Sequence, residues 1–375
     1  MIRVASLVSY QVMPAKMGGQ KGIYLFLTYL ARYHPVICYT TSNNVPGGHE
    51  NFTVKKIIGN GRLRYINPFY FFRLRREFRR DGITHLLLEQ PYYGWLAFLL
   101  KKFLKIKLIV HSHNIEALRF KSTKKWWWRI MARYEKWIHK KADFSFFISQ
   151  EDKAYAIKQY KLSQEKCAVI TYGTECQAPP SAEQKAAAKE KLCQKHNIAA
   201  GNLLLLFNGT LNYPPNQQGL DSILHKINPL LLKQAPFPYK ILICGSRLPI
   251  SYHNLEAYID DNIIYPGFVD DIDLYFTASD IFINPVCEGG GIKTKLVEAL
   301  ASGCAAVSYE EGAIGVPADV TGKKLSVVEN NNPSAFADAV LHTAGNISGP
   351  TPYSFYAHFY WGNIARKAAE KISAV

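Results

Sequence analysis

The segment from Gly289 to Leu300 constrains the fold of this chain more than any other. A strand-like run, Asp280–Pro285, leads into the three glycines Gly289–Gly291, and a helical pattern follows them. Glycines allow a tight turn and let a ligand approach the backbone closely. The start of the following helix gathers free N–H groups and the positive end of the helix dipole, which favour an anion. The segment therefore predicts a strand–turn–helix unit that binds an anion, most simply a diphosphate.

Three charged side chains strengthen this interpretation. Lys293 and Lys295 stand on either side of one residue at the start of the predicted helix, and each adds a full positive charge. Glu298 follows one to two turns into the helix, within reach of a sugar or ribose hydroxyl. The alternative is an ordinary strand-to-helix turn whose charged side chains are simply solvated.

The stretch Cys287–Gly315 resembles the donor-nucleotide segment of the retaining GT-B glycosyltransferases known as group 1, glycosyltransferase family 4. It is especially similar to the bacterial members that read Gly-Gly-Gly-x-Arg/Lys-x-Lys-x-x-Glu-Ala. Three segments earlier in the chain resemble other blocks of the same family in the expected order: Leu206–Asn216, Ile243–Ser246 and Tyr265–Asp271. The resemblance implies an α/β protein with the GT-B fold. Two Rossmann-like domains then face each other across a cleft, and a C-terminal helix crosses back to the N-terminal domain.

The resemblance also implies which residues bind the donor. Glu298 aligns with the carboxylate that holds the ribose, and Phe268 and Val269 align with positions near the base. Thr210 stands where typical members carry an arginine, so we interpret Lys293 and Lys295 as moving that charge into the glycine loop. The remaining expected donor contacts are Gly209, Asn212, Gly245, Gly290, Gly291 and Ile292. Core packing is the alternative for Phe268.

One carboxylate departs from the family pattern. The motif Glu-x₇-Glu would place its first carboxylate at position 290, which is a glycine, and Glu288 lies two positions earlier. We retain Glu288 as a candidate catalytic residue that reaches a hydroxyl of the donor sugar. A plain loop carboxylate is the alternative.

The N-terminal half offers two further candidate sites. Gly18 and Gly19 follow the first predicted strand and resemble the Gly-Gly loop that faces donor phosphate and acceptor in this family. His113 ends another strand and resembles the histidine that lies beside the transferred sugar, with His111 as the alternative. Such a histidine can hydrogen-bond a sugar hydroxyl or relay a proton. Glu89 ends a neighbouring strand and is expected on the acceptor side, and a structural histidine remains the alternative for His113.

The length and the charge distribution indicate two unlike halves. A chain of 375 residues suits two domains, which we expect at residues 1–178 with the helix 352–375, and at 179–351. Residues 1–178 hold 30 Lys and Arg against 11 Asp and Glu, a balance of +19, whereas the remainder has a balance of −3. Helical patterns are expected at about 21–33 and 123–142, among others. Seven scattered cysteines indicate reduced thiols and a cytoplasmic protein.

These features together predict a retaining, metal-independent glycosyltransferase of cell-surface polysaccharide synthesis. It would use a nucleotide-diphosphate sugar as donor and a glycan or lipid-linked acceptor, with no cofactor. The basic half and the Trp-rich stretch 124–141 also predict peripheral binding to an anionic membrane on its cytoplasmic face. Two alternatives remain: a sugar-nucleotide 2-epimerase of the same architecture, and a nucleic-acid-binding protein, which no recognition motif supports.

Overall fold

The computed structural model describes residues 1–15, 17–347 and 349–375 and shows an α/β protein built on two parallel sheets. The chain divides into two compact units. The first comprises residues 1–175, 290–292 and 359–375, and the second comprises residues 176–289 and 293–358.

Seven parallel strands form the sheet of the first unit in the order β3-β2-β1-β4-β5-β6-β7. Most of their sequences are rich in apolar residues because helices cover both faces of such a sheet, whereas the edge strand β3 includes Lys55 and Lys56. The strands are β1 Val4–Val8, β2 Val36–Thr41, β3 Thr53–Ile58, β4 His85–Glu89, β5 Lys107–Ser112, β6 Phe144–Phe147 and β7 Cys167–Val169. The register of β4 against β5 pairs Glu89 with His111. That pairing brings the residues at the carboxyl ends of these two strands together.

The helices of the first unit alternate with its strands. They are α1 Gly18–Leu30, α2 Phe69–Asp81, α3 Gly94–Leu104, α4 Glu116–Ser122, α5 Trp128–Lys141 and α6 Gln150–Tyr155, which continues as a π-helical segment to Tyr160. One core cluster collects buried apolar side chains from α2, α3 and α5 and from the strands beneath them. These three helices therefore pack through a shared apolar core.

Six parallel strands form the sheet of the second unit in the order β10-β9-β8-β11-β12-β13. They are β8 Leu203–Thr210, β9 Tyr239–Ser246, β10 Ile263–Gly267, β11 Ile281–Asn284, β12 Ala305–Tyr309 and β13 Leu325–Val328. The strand order reverses between β8 and β11, as in doubly wound α/β sheets. Ligands of such sheets bind at the carboxyl ends of strands beside that reversal.

The helices of the second unit are mostly short. They are α7 Ala182–Lys195, α8 Pro214–Ser222, α9 Asn228–Gln234, α10 Ile272–Ala278, α11 Thr294–Ala301, α12 Glu310–Ala313, α13 Ala318–Thr321 and α14 Pro333–Gly345. Two helices, α15 Tyr353–Phe359 and α16 Trp361–Ser373, end the chain. The helix α16 belongs to the first unit, where Trp361 packs against Phe26 of α1 with ring centroids 6.4 Å apart. His34 also contacts the carbonyl oxygen of Ala369 at 3.3 Å.

Some local predictions were wrong. The helix expected at 123–142 begins only at Trp128, as α5, because Lys124 adopts a positive φ of 55° in the link that follows α4. The first helix begins at Gly18 rather than near residue 21, so the glycines expected in a loop form its first turn. The strand β13 was not predicted; its sequence, Leu325–Val328, is only four residues long and half-exposed. Short elements carry too little periodicity to be recognised.

Candidate functional site

The glycine-rich turn of the second sheet has the predicted strand–turn–helix form. Strand β11 ends at Asn284 and helix α11 begins at Thr294. Gly289 and Gly291 adopt positive φ angles of 98° and 69°, a conformation that side chains with a Cβ atom rarely take. These two glycines are therefore required by the backbone of the turn.

Lys295 lies in the first turn of α11, and its ammonium group is directed at the end of strand β8. Its Nζ donates to the carbonyl oxygen of Asn208 at 2.6 Å and to Oδ1 of Asn216 at 3.3 Å. Both of these acceptors are uncharged. Burial lowers the pKa of Lys295 to about 8; Glu298 raises the pKa and Lys293 lowers it. Desolvation of this kind leaves a cation that gains strongly from a bound anion.

Close backbone approach explains the two glycines at the strand ends. A Cβ atom at Gly209 would overlap the ammonium group of Lys295, and one at Gly245 would overlap the carbonyl oxygen of Gly209. The register pairs Gly209 of β8 with Gly245 of β9. The structure thus brings Gly209, Gly245 and Lys295 together at the carboxyl end of the sheet.

The other charged residues of the turn take different positions. The side chain of Lys293 folds back and donates to the carbonyl oxygen of Gly289 at 2.8 Å, so it braces the turn. Glu298 is the fifth residue of α11 and is half-buried. Glu288 is half-buried and lies immediately before Gly289. Gly290, Gly291 and Ile292 fall within the first unit by their contacts.

The polar residues after β8 differ in their proximity to Lys295. Thr210 ends the strand and is half-exposed, and its carbonyl oxygen accepts from Nδ2 of Asn216 at 3.0 Å. Asn212 is exposed. Asn208 and Asn216 were not among the expected donor residues, yet they are the direct partners of Lys295. The buried Oδ1 of Asn208 has no hydrogen-bond partner among the described residues and is available to a donor hydroxyl.

Phe268 follows the strand β10 and is 68% exposed. Core packing, the alternative considered for it, is therefore excluded in the described structure. Val269 beside it is half-buried. Gly267 precedes them with a φ of 74°, which turns the chain at the end of the strand. An exposed aromatic ring at a strand end is well suited to stacking on a nucleobase.

The two glycines of the first unit begin helix α1. Gly18 is half-exposed and Gly19 is exposed, and a Cβ atom at Gly19 would meet nothing within 4 Å. The N–H of Met17, just before the helix, donates to Oε1 of Gln20 at 3.0 Å. The backbone at Gly19 therefore has open space beside it, which leaves room for a ligand.

A carboxylate and two histidines meet at the carboxyl ends of β4 and β5. Oε2 of Glu89 lies 2.6 Å from Nε2 of His113 and 3.0 Å from Nδ1 of His111. Glu89 and His111 are almost fully buried, and His113 is 14% exposed. Burial alone would raise the pKa of Glu89, but the two histidine rings hold it at about 2. Burial and then His111 lower the pKa of His113, which Glu89 partly offsets.

The ionised Glu89 carboxylate can only accept a hydrogen bond. Nε2 of His113 must therefore carry a proton and donate it to Glu89. In a neutral ring the other nitrogen, Nδ1, is then left as an acceptor. Sequence reasoning singled out each of these residues, but it did not predict that one carboxylate contacts both histidines.

The same three residues carry side chains of the types that bind metal ions. Their candidate ligand atoms all lie within 4.8 Å of one another. A metal bound at about 2.0–2.2 Å from each ligand would hold neighbouring ligand atoms roughly 3.3 Å apart in tetrahedral geometry. The 2.6 Å between Glu89 and His113 is shorter and is typical of a charge-assisted hydrogen bond. The cluster fits a carboxylate that is hydrogen-bonded to His113, with His111 beside it, better than a metal centre.

A second polar cluster lies close by in the first unit and was not predicted. The Tyr92 hydroxyl donates to Oε2 of Glu116 at 2.6 Å, and Nε of Arg119 donates to the same oxygen at 2.9 Å. Arg119 also donates to the Tyr92 hydroxyl at 2.9 Å. Arg119 lies three residues after Glu116 on α4, so the two side chains are neighbours on the helix surface. Their spacing in the sequence was the signal that could have predicted this pair.

Comparisons with known proteins match both halves of the chain. Residues 18–177 match the model of Glycosyltransferase Family 4, and residues 202–346 match a model described as Glycosyl transferases group 1. A structure of Anabaena HepE in complex with UDP superimposes with a TM-score of 0.75 at 14% identity over 100% of both chains. The fold is therefore GT-B. The chain belongs to the group 1 glycosyltransferases, glycosyltransferase family 4.

Two curated relatives match less of their own length. An uncharacterised 44.6 kDa protein of the cps region of Klebsiella pneumoniae is 29% identical over 165 residues, 42% of this chain and 41% of that protein. The chitobiosyldiphosphodolichol beta-mannosyltransferase of Debaryomyces hansenii is 22% identical over 307 residues, 75% of this chain and 62% of that protein. The matches thus span less than two thirds of either relative. Within residues 1–15, 17–347 and 349–375, no helix has the length and apolar character needed to cross a bilayer.

Proposed function

We propose that the protein is a glycosyltransferase that moves a sugar from a nucleoside diphosphate sugar to a hydroxyl group of a glycan or lipid-linked acceptor. The observation that carries this proposal is the enclosed Lys295 ammonium beside Gly209, at the start of α11 and at the carboxyl end of β8. Membership of the family supports it. So do the structures of the similar HepE protein, which contain UDP and UDP-glucose.

The proposed chemistry is electrostatic. As the glycosidic bond breaks, negative charge accumulates on the departing diphosphate, and fixed cations and helix N–H groups stabilise it most where water is excluded. Lys295 supplies the cation, with Lys293 bracing the turn from Gly289. Because these groups already place positive charge at the leaving group, the reaction is proposed to need no divalent metal and no cofactor.

The remaining donor contacts are proposed from the family resemblance, and the exposure of the residues supports them. Glu298 is proposed to hold a ribose hydroxyl, and the exposed Phe268 ring to contact the base with Val269 beside it. Glu288 is proposed to reach a hydroxyl of the donor sugar. Asn208 adds an acceptor at the end of β8 through its unpartnered Oδ1. Gly18 and Gly19 at the start of α1 are proposed to face the donor phosphate and the acceptor, and the open space beside Gly19 supports this.

His113 is proposed to contact the transferred sugar, oriented by Glu89. We propose that the reaction retains anomeric configuration without a protein nucleophile. In that scheme a leaving diphosphate oxygen accepts the proton of the attacking acceptor hydroxyl on the same face of the sugar. The relative from Debaryomyces hansenii is named a beta-mannosyltransferase. NMR coupling constants give the anomeric configuration of the product. Comparing it with that of the donor sugar decides between retention and inversion.

The class of acceptor is proposed from the descriptions of the two relatives and from the net charge of residues 1–178. One relative lies in a cps region, and the other is named for a diphosphodolichol-linked sugar. We propose a role in cell-surface polysaccharide synthesis, carried out on the cytoplasmic face of the membrane by a peripherally bound protein. The balance of +19 over residues 1–178 supports attraction to an anionic surface.

A thermal-shift screen against UDP-, GDP-, ADP- and CMP-sugars tests the donor, because a ligand that binds only the folded state raises the melting temperature. Release of the matching nucleoside diphosphate in the presence of acceptor then tests transfer. We expect His113→Ala to lower kcat about a hundredfold or more with little change in donor affinity. Epimerisation of a UDP-sugar without acceptor, or salt-sensitive binding to duplex DNA without donor turnover, would contradict the proposal.

A further inference from the structure

Helix α2 carries apolar side chains on two faces, and those on one face are exposed. Phe71, Leu74 and Phe78 point into the core of the first unit and are at most 9% exposed. On the opposite side, Phe69 and Phe72 are 75% and 63% exposed. A helix of 3.6 residues per turn places positions 69, 72, 76 and 79 along one stripe. That stripe therefore begins with two phenylalanines and continues with Arg76 and Arg79, both exposed.

The exposed apolar surface extends beyond α2. Phe103, near the end of α3, is 52% exposed, and its ring lies 5.3 Å from that of Phe71, as does the ring of Phe72. Leu63 and Ile66, just before α2, are 73% and 70% exposed. We call this set the outer α2 surface: Leu63, Ile66, Phe69, Phe72, Arg76, Arg79, Lys102 and Phe103.

A basic groove adjoins the end of α3. It encloses about 430 Å³ and is lined by Phe98, Lys101, Lys102, Lys105, Ile106, Lys107 and Asp143. Lys101 donates to Oδ1 of Asp143 at 2.8 Å, so one of the four lysines is paired with the single carboxylate of the lining. The remaining cations give the groove a net positive charge. A phosphate headgroup matches that charge.

The combination of basic and exposed apolar side chains favours a lipid bilayer over nucleic acid as the partner of this surface. Arginines and lysines alone would suit nucleic acid, which is bound mainly through its phosphates. Exposed leucine, isoleucine and phenylalanine beside those cations suit the boundary between lipid headgroups and acyl chains, where apolar side chains insert and basic ones meet phosphates. Five large apolar side chains exposed on α2, just before it and near the end of α3 are uncommon on a protein that remains in bulk water.

We propose that the outer α2 surface binds an anionic lipid bilayer. Leu63, Ile66 and the three phenylalanines insert at the headgroup level, while Arg76, Arg79 and Lys102 contact lipid phosphates. This placement differs from the expected one at residues 124–141. There Trp126 and Ile130 are 84% and 60% exposed, but Trp127 packs on Phe120 with ring centroids 4.2 Å apart. Trp137 packs on Phe98 at 5.4 Å, so that stretch offers fewer side chains for insertion.

This membrane proposal rests on the proposed function, because it takes the membrane to be where the lipid-linked acceptor lies. Binding to lipid is measured without donor or acceptor, so the two proposals fail separately. Loss of nucleoside diphosphate binding with intact vesicle binding would remove the enzymatic proposal alone. The reverse result would remove the membrane proposal alone.

The test is sedimentation of the full chain with vesicles of phosphatidylglycerol and phosphatidylcholine at about 1:3, and with phosphatidylcholine alone. The apolar variant carries Phe69→Ser, Phe72→Ser and Phe103→Ser. The charge variant carries Arg76→Gln, Arg79→Gln and Lys102→Gln. The matched control carries Lys124→Gln, Lys125→Gln and Trp126→Ser, which removes two charges and one exposed ring from the other candidate surface. Thermal melting and nucleoside diphosphate affinity establish that each variant is folded.

We expect the charge variant to bind anionic vesicles about a hundredfold more weakly at low salt, because each basic residue near an anionic bilayer contributes about fivefold. The apolar variant should lose about tenfold or more, and its loss should persist at high salt, where charge is screened. The control should stay within about threefold of the unaltered chain. Absence of binding to anionic vesicles, loss confined to the control, or displacement of the vesicles by duplex DNA would each overturn the proposal.

Discussion

Nε2 of His113 lies 2.6 Å from Oε2 of Glu89, and the same carboxylate oxygen lies 3.0 Å from Nδ1 of His111. Because an ionised carboxylate only accepts, this contact sets which nitrogen of His113 carries the proton. It also ties the charge of His113 to a residue that ends a different strand. Glu89 is therefore a positioning residue in the proposed reaction, acting on the sugar through His113.

We expect Glu89→Gln to lower kcat about tenfold to a hundredfold while the KM for the donor changes little. The Glu89 carboxylate raises the pKa of His113, so its removal lowers that pKa further. If His113 acts as the neutral ring, the acidic limb of the profile of kcat/KM against pH moves to lower pH. The control is Glu77→Gln, a buried carboxylate paired with Lys55 at 3.2 Å, which should cost stability without moving the profile. An unmoved profile in Glu89→Gln would assign Glu89 a structural role only.

Lys295→Ala should weaken nucleoside diphosphate binding roughly tenfold to a hundredfold, the effect of losing a charge-assisted contact worth about 1.5–3 kcal/mol. Isothermal titration calorimetry measures it directly. Lys191→Ala removes an exposed lysine from α7 in the same unit and should leave the affinity unchanged. Equal affinities for Lys295→Ala and the unaltered protein would place Lys295 outside the site.

Diphosphate binding should take up protons at alkaline pH. The pKa of Lys295 is about 8 in the free protein, and a bound anion favours the charged ammonium and raises that pKa. Near pH 8 about half a proton is therefore taken up per ligand bound, and affinity falls as pH rises above about 8. Below about pH 7 Lys295 is already protonated and this uptake disappears. Calorimetry in two buffers of different ionisation enthalpy measures the uptake, and Lys295→Ala should abolish it.

Gly209→Ala should weaken nucleoside diphosphate binding by about tenfold with the fold intact. Its new Cβ atom would overlap the Lys295 ammonium and lie 2.7 Å from Nδ2 of Asn216. Both neighbours are the ends of side chains that can move, so the cost falls on the position of the cation rather than on the backbone. Gly345→Ala, at a position with nothing within 4 Å of the new Cβ atom, is the control. If Gly209→Ala bound the nucleoside diphosphate as tightly as Gly345→Ala does, binding would not depend on the position of the Lys295 ammonium group.

The sequence by itself determined the local units of this protein. The turn at Gly289–Gly291 was predictable because a strand run, glycines and a helical pattern are adjacent in the chain, and the required φ angles belong to single residues. The alternating α/β architecture followed from the same kind of local pattern. Where the local signal was weak, prediction failed: the four-residue strand β13 was missed, and the first helix was expected to begin later than Gly18.

Tertiary structure alone decided which distant residues meet. Lys295 reaches the carbonyl oxygen of Asn208, 87 positions earlier, because parallel pairing puts β8 beside β11, the strand that precedes the glycine-rich turn. Glu89 meets His113 because the register of β4 on β5 aligns their carboxyl ends. The exposure of Phe69 and Phe72 depends on which face of α2 packs on the core, since phenylalanines occur on both faces in the sequence. Strand order, register and the choice of buried face arise from packing between elements, which a local pattern does not contain.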